Sequence, residues 1–143
     1  FTWDQLRRLI GLYHDALEVE GKTAEGSTVS ANRIVILADN PDEAWEDAAP
    51  YLMKLFRVYA KIGLVENADA LFDPEFEILE VLKDLVRDIC LVGSPETVAA
   101  TLTDYAAAGV TQLQLRPAPA FMPTSLVERT VRLAGEELVP AFD

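Results

Sequence analysis

The chain has 143 residues, half of them hydrophobic, with 24 acidic against 12 basic side chains and a net charge of −12. That is enough apolar material for one unit with its own core. The acidity argues against nucleic-acid binding, which needs clustered Lys and Arg, and no apolar run approaches the ~20 residues of a membrane-crossing helix.

Thr2 to Glu20 reads as an amphipathic helix. Thr2 and Gln5 have the spacing of a capping box. Trp3, Leu6, Ile10, Tyr13 and Leu17 recur on one stripe, which Leu9, Leu12 and Ala16 widen until it can lie on a sheet. Gly21 ends the helix. His14 lies at the stripe's edge. It is the only histidine, and with no carboxylate or cysteine pattern around it, it reads as an edge or surface residue rather than a catalytic one.

Lys22 to Ala31 is a polar loop, and Asn32 to Ala38 follows as a strand. Its continuous run Ile34-Val35-Ile36-Leu37 suits burial on both faces. Asn40 can then cap a helix with Pro41 in the first position and Glu43 completing the box. That helix carries Ala44, Trp45, Ala48, Leu52, Leu55, Phe56 and Tyr59. Pro50 removes an internal hydrogen bond, so a bend is expected near Glu46 to Ala49. Gly63 closes the segment.

Leu64 to Phe72 has no clear period. Asp73-Pro74 begins a further helix with Phe76, Leu79, Leu82, Leu85 and Val86 on its apolar side. It can connect or contact a second copy. Ile89 to Val92 is a short apolar strand holding Cys90. As the sole cysteine it excludes an internal disulfide, reads as a buried thiol, and is compatible with a reducing cytoplasm. The start of the chain lacks a signal-peptide pattern.

The centre of the design is Leu91 to Arg116. Gly93 breaks the strand, Ser94 caps the next helix, and Pro95 takes its first position. Val98, Leu102 and Tyr105 keep helical spacing. Gly109 supplies the left-handed end, and Val110 to Arg116 is a strand again. A helix so closely flanked by strands is a βαβ crossover with parallel strands and a right-handed connection. Pro117 to Pro123 is a stiff loop. Thr124 can cap a last helix from Ser125 to about Leu138, with Leu126, Val127, Thr130, Leu133 and Leu138 inward, and Pro140 ends it.

The run Val92-Gly93-Ser94-Pro95-Glu96-Thr97-Val98, followed by Tyr105 and Ala108-Gly109-Val110, resembles the C-terminal part of the luciferase-like flavin monooxygenases. That family includes bacterial luciferase, alkanesulfonate monooxygenases and coenzyme-F420-dependent oxidoreductases. Ala38-Asp39-Asn40-Pro41-Asp42-Glu43-Ala44 resembles an acidic helix start common in it. The resemblance implies the α/β class: residues 1–143 as a single segment, the C-terminal part of a (β/α)8 TIM barrel with parallel strands and surrounding helices. A complete barrel needs ~250 residues. Phe1 is not an initiator methionine and Thr2 opens directly into a helix, which favours a piece of a barrel over a self-sufficient small α/β domain.

In a barrel the reactive face lies at the carboxyl ends of the strands, here Ala38-Asp39, Val92-Gly93-Ser94 and Leu115-Arg116-Pro117. Alternation puts Leu113 and Leu115 on one face of the last strand and Gln112, Gln114 and Arg116 on the other. The polar face either meets solvent at a sheet edge or lines a barrel lumen and faces a ligand. The resemblance favours the lumen. Arg116 can pair with a phosphate, a sulfonate or a reduced flavin's anionic ring. Gly93 and Ser94 join it as cofactor-side residues, because a helix start presents backbone N–H groups, and Gln114 is the substrate-side candidate.

No nucleophile motif, Walker lysine loop, G-x-G-x-x-G run or metal-spaced histidine pair occurs, and no catalytic residue is assigned. Flavin or F420 chemistry needs none of these, since the cofactor carries the electrons. The resemblance therefore implies part of a cytoplasmic FMN- or F420-dependent oxidoreductase or monooxygenase, acting on a small organic substrate. Its partner would be the remaining N-terminal part of the barrel, and a homo-oligomer is compatible. The fragment alone would be inactive. The alternative is a catalytically silent half-barrel or subunit that supports a partner chain.

Overall fold

A computed structural model describes residues 2–64, 72, 83 and 86–142. In chain order the elements are α1 (Trp3–Val19), β1 (Ser30–Leu37), α2 (Pro41–Lys61), β2 (Cys90–Gly93), α3 (Pro95–Ala107), β3 (Gln112–Arg116) and α4 (Thr124–Leu133). A π-helical turn, Ala134–Leu138, and a 3-10 turn, Val139–Phe142, extend α4. The helix expected from Asp73 lies outside the described residues, apart from Lys83 and its expected last position, Val86, which is buried.

The local rules of the sequence hold at the helix ends. Thr2 and Gln5 close the capping box on α1. Asn40 Oδ1 accepts the Glu43 N–H at 2.9 Å, with Pro41 in the first turn. Ser94 Oγ accepts the Thr97 N–H at 3.3 Å. Gly63 and Gly109 adopt φ of +74° and +98°, and the next amide in each case reaches back to the carbonyl of Tyr59 or Tyr105. Glycine suits both places because a Cβ disfavours that backbone region.

α2 is one continuous helix, Pro41–Lys61, with Pro50 inside it. Pro50 is exposed, so the carbonyl it leaves unbonded can face water, while buried Ala48, Ala49, Leu52 and Met53 hold both halves in one core. Thr124 is the first residue of α4 rather than its cap; Pro123 occupies the cap position and makes no side-chain bond. Pro140 does not stop the chain's helical course, because the π turn and then a 3-10 turn accommodate it.

The three strands form one parallel sheet in the order β2-β1-β3. β1 is therefore central, and its Val35, Ile36 and Leu37 are fully buried, as a doubly covered strand requires. The connection β1-α2-β2 runs one way along the sheet, and β2-α3-β3 runs back across β1. Right-handed crossovers in opposite directions put their helices on opposite faces. The cores agree. Ile34, Ile36 and Cys90 cluster with Leu52, Met53 and Phe56 of α2, whereas Val35, Leu37 and Leu91 cluster with Val98 of α3, Leu133 and Leu138.

α1 joins the second face through Ile10, which meets Ala31, Tyr105 and Val110. Its wider stripe is left open: Leu9, Leu12 and Tyr13 are exposed. His14 lies half-buried with its ring beside Gly109.

Candidate functional site

β1 and β2 end level, since Leu37 pairs with Gly93. Their carboxyl ends and the starts of α2 and α3 form a common rim. β3 stops lower: Arg116 lies opposite Ile34, three residues short of Leu37, or about 10 Å along the strand. The structure brings Gly93 and Ser94 to the rim with Ala38 and Asp39. It does not bring Arg116 there.

Gly93 is required by contact. A Cβ at that position would collide with Thr97 Oγ1, which bends over the strand end to donate to the Ser94 carbonyl at 3.0 Å. The same tight turn consumes the donors of the helix start. Ser94 Oγ takes the Thr97 N–H, the Ser94 carbonyl takes the Val98 N–H, and Pro95 has none. The Glu96 N–H is left, next to the Glu96 carboxylate.

Above β3 the free edge of β1 is completed by side chains. The Leu37 N–H donates to Thr130 Oγ1 at 3.1 Å, and Arg129 Nε donates to the Leu37 carbonyl at 3.0 Å. Two neighbours on α4 thereby take the place of a strand that has already ended. Arg129 also ties α4 to the start of α2, through Glu43 at 2.9 Å and Asp47 at 2.8 Å.

The polar stripe of β3 falls as alternation requires. Leu113 and Leu115 pack on the second face, and Gln112, Gln114 and Arg116 are exposed on the face that α2 covers farther along the sheet. Asn32 Nδ2 donates to Gln114 Oε1 at 2.8 Å. This fixes the Gln114 amide and leaves its NH2 free as a donor. Among the described residues Arg116 makes no hydrogen bond or ion pair.

Arg116, Ile34 and Cys90 form one row across the sheet. Burial pushes the Cys90 thiol up to about 12, against the opposing fields of Arg116 and Arg33. The thiol is therefore an inert part of the core.

Arg33 was not singled out by sequence reasoning. It is 6% exposed. Its Nε donates to Tyr105 Oη at 2.7 Å and one terminal nitrogen to the Asn32 carbonyl at 3.2 Å, while the other terminal nitrogen is buried without a partner. The Tyr105 ring lies 5.4 Å from the guanidinium and stacks on Trp3 at 4.4 Å. The available signal was a charged residue directly before an apolar strand run. Among the described residues there is no cluster of His, Cys, Asp and Glu able to hold a metal, and no described helix is long and apolar enough to cross a membrane.

A parallel sheet with helices packed on both faces makes this an α/β protein. The model of the luciferase-like monooxygenase family matches residues 1–112, and the chain belongs to that family. Curated proteins yield no match. Among solved structures, the monooxygenase RslO1 from Streptomyces bottropensis is 22% identical, with a TM-score of 0.72 over 99% of this chain and 39% of its own. The FMN-bound oxygenating constituent of 3,6-diketocamphane monooxygenase from Pseudomonas putida is 23% identical, with a TM-score of 0.66 over 97% of this chain and 40% of its own. The coenzyme F420-dependent tetrahydromethanopterin reductase from Methanopyrus kandleri is 17% identical, with a TM-score of 0.64 over 96% and 42%. The α/β expectation of parallel strands with surrounding helices therefore holds, and the chain spans about two fifths of the length of these proteins.

Proposed function

We propose that the chain supplies the C-terminal part of a flavin- or F420-dependent oxidoreductase whose complete (β/α)8 barrel acts on a small organic substrate. Membership of the luciferase-like monooxygenase family over residues 1–112 carries this reading. The FMN-bound and F420-dependent proteins of the same fold support either cofactor. The bound cofactor supplies the electrons, as hydride or through O2 activation by reduced flavin.

The residues present fit such a group at Arg116. An exposed guanidinium without a protein partner can hold a phosphate or an anionic ring at little cost in broken contacts. Gln114, oriented by Asn32, offers its free NH2 to a substrate oxygen. Gly93 and Ser94 form the cofactor-side turn of the rim, where the Glu96 N–H is the remaining first-turn donor. The buried Val35, Ile36 and Leu37 exclude water beneath that rim. A cytoplasmic setting belongs to the same reading and is supported by the single free, buried thiol. So does association with the remaining strands of the barrel, and possible pairing of whole copies.

The test is to mix the chain with a polypeptide carrying the remaining strands and to titrate FMN and F420 by fluorescence. Binding in the mixture and in neither piece alone supports the enzyme, and Arg116→Gln should weaken it at least tenfold. Absence of binding in every combination would leave the catalytically silent subunit as the better reading.

A further inference from the structure

β3 is the outer strand of the sheet and pairs with β1 alone. The Gln112 N–H donates to the Val29 carbonyl. By alternation, Gln112, Gln114 and Arg116 direct their backbone groups at β1, while the N–H and C=O groups of Leu113 and Leu115 point away from the sheet. Among the described residues no hydrogen bond reaches those outward groups. Such an edge is a template for another strand unless proline, lysine or a bulge blunts it, and β3 contains neither proline nor lysine.

Beside this edge, on the face that carries α3 and α4, lies a cavity of about 290 Å³. Its walls include Leu102 and Tyr105 of α3, Leu113 and Leu115 of β3, and Val139 and Phe142 of the last turn. Val139 and Phe142 are half exposed, which leaves the groove with an apolar rim open to water.

The strand is complementary to itself. When it lies antiparallel to a copy with Gln114 opposite the partner's Gln114, Leu113 falls opposite the partner's Leu115. Those leucine pairs are then the hydrogen-bonded ones, so every outward group finds an acceptor or donor. Both leucines lie on the groove face, where the partner's pair would close the open side beneath Val139 and Phe142. On the polar face Arg116 falls opposite the partner's Gln112, which keeps the two guanidinium groups apart. The acidic side chains behind the net charge of −12 are absent from β3. A slip of one residue would set leucine against glutamine.

We propose that two copies of this chain pair through β3, antiparallel about Gln114, and join their three-stranded sheets into one. The surface is the same on both copies, as a two-fold dimer requires. In a complete barrel a neighbouring strand would occupy this edge, so the pairing belongs to the chain by itself and does not rest on the redox reading.

The test is sedimentation of the purified chain over a concentration series, joined to amide hydrogen exchange. A reversible dimer is expected. On dilution the Leu113 and Leu115 amides should lose protection, while the Gln114 amide, bonded to β1, keeps it. Gln112→Arg sets like charges opposite each other twice and should raise Kd about tenfold. Gln112→Glu should lower Kd, and Arg116→Glu added to Gln112→Arg should bring it back to the parent value or below. Gln112 and Arg116 are both exposed, so these changes leave the core untouched. A chain that stays monomeric at every concentration, a Kd indifferent to charge at position 112, or Leu113 and Leu115 amides as unprotected in the dimer as in the monomer would overturn the proposal. Cofactor binding in the mixture with the remaining strands is scored separately: loss of the dimer leaves the redox reading standing, and loss of cofactor binding leaves the dimer.

Discussion

Thr130→Val probes the device that finishes the sheet where β3 ends early. Thr130 is 1% exposed, and its Oγ1 accepts the Leu37 N–H at 3.1 Å. Valine has nearly the same shape but no acceptor, and leaves that buried N–H unsatisfied. The cost of such a group is about 1–3 kcal/mol. For a chain of this size, a loss of ~2 kcal/mol lowers Tm by about 7 °C. Thr130→Ser keeps the acceptor and loses one methyl, at about 1 kcal/mol. Urea unfolding followed by circular dichroism should therefore rank wild type above Ser and Ser above Val. Hydrogen exchange gives the local readout: if Leu37 is exposed by opening of this clamp, ~2 kcal/mol corresponds to about 30-fold lower protection. Val equal to or more stable than Ser, with Leu37 protection unchanged, would refute the reasoning.

Gly93→Ala should destabilise the chain by about 1–3 kcal/mol through overlap with Thr97 Oγ1. Thr97→Ala in the same chain should recover most of the loss in a double-mutant cycle of denaturation midpoints. Cys90 should resist alkylation. With its pKa moved from 9.0 to about 12 by burial, its thiolate fraction at pH 8 falls roughly 10³-fold, and iodoacetamide labelling of the native chain should slow accordingly against the urea-unfolded chain. The same shift sets a pH dependence. The neutral thiol favours the folded state, so its contribution is complete below pH 9 and is lost as pH rises toward 12, at no more than about 1.4 kcal/mol per pH unit. Cys90→Ala should flatten stability across that window.

Much of the local structure was legible because it depends on near neighbours in the chain. Asn40, Ser94 and the Thr2–Gln5 pair announce helix starts through side chains that reach only three residues ahead. The runs Ile34-Val35-Ile36-Leu37 and Cys90-Leu91 announce buried strands by lacking polar residues. Strand order was not legible, because nothing within β1, β2 or β3 states which strand lies beside which. The order β2-β1-β3 follows from long-range burial. The site divides in the same way. Alternation predicted that Gln114 and Arg116 would share a face, but the vertical offset between Arg116 and Gly93 depends on pairing register. The role of Arg33 depends on Tyr105, which lies 72 positions away in sequence. Thr130 was expected inside for its place on a helical face, yet its bond to Leu37 spans 93 positions.

The most direct test of the functional account is oxidation of the reduced cofactor. The chain and a polypeptide carrying the remaining strands would be assayed separately and together with reduced FMN and reduced F420, following absorbance with a panel of small organic acceptors and with O2. The account expects no turnover from either piece and acceptor- or O2-dependent oxidation above the buffer rate in the mixture, reduced at least tenfold by Arg116→Gln. A properly assembled mixture that binds neither cofactor and oxidises neither at more than the buffer rate would contradict it.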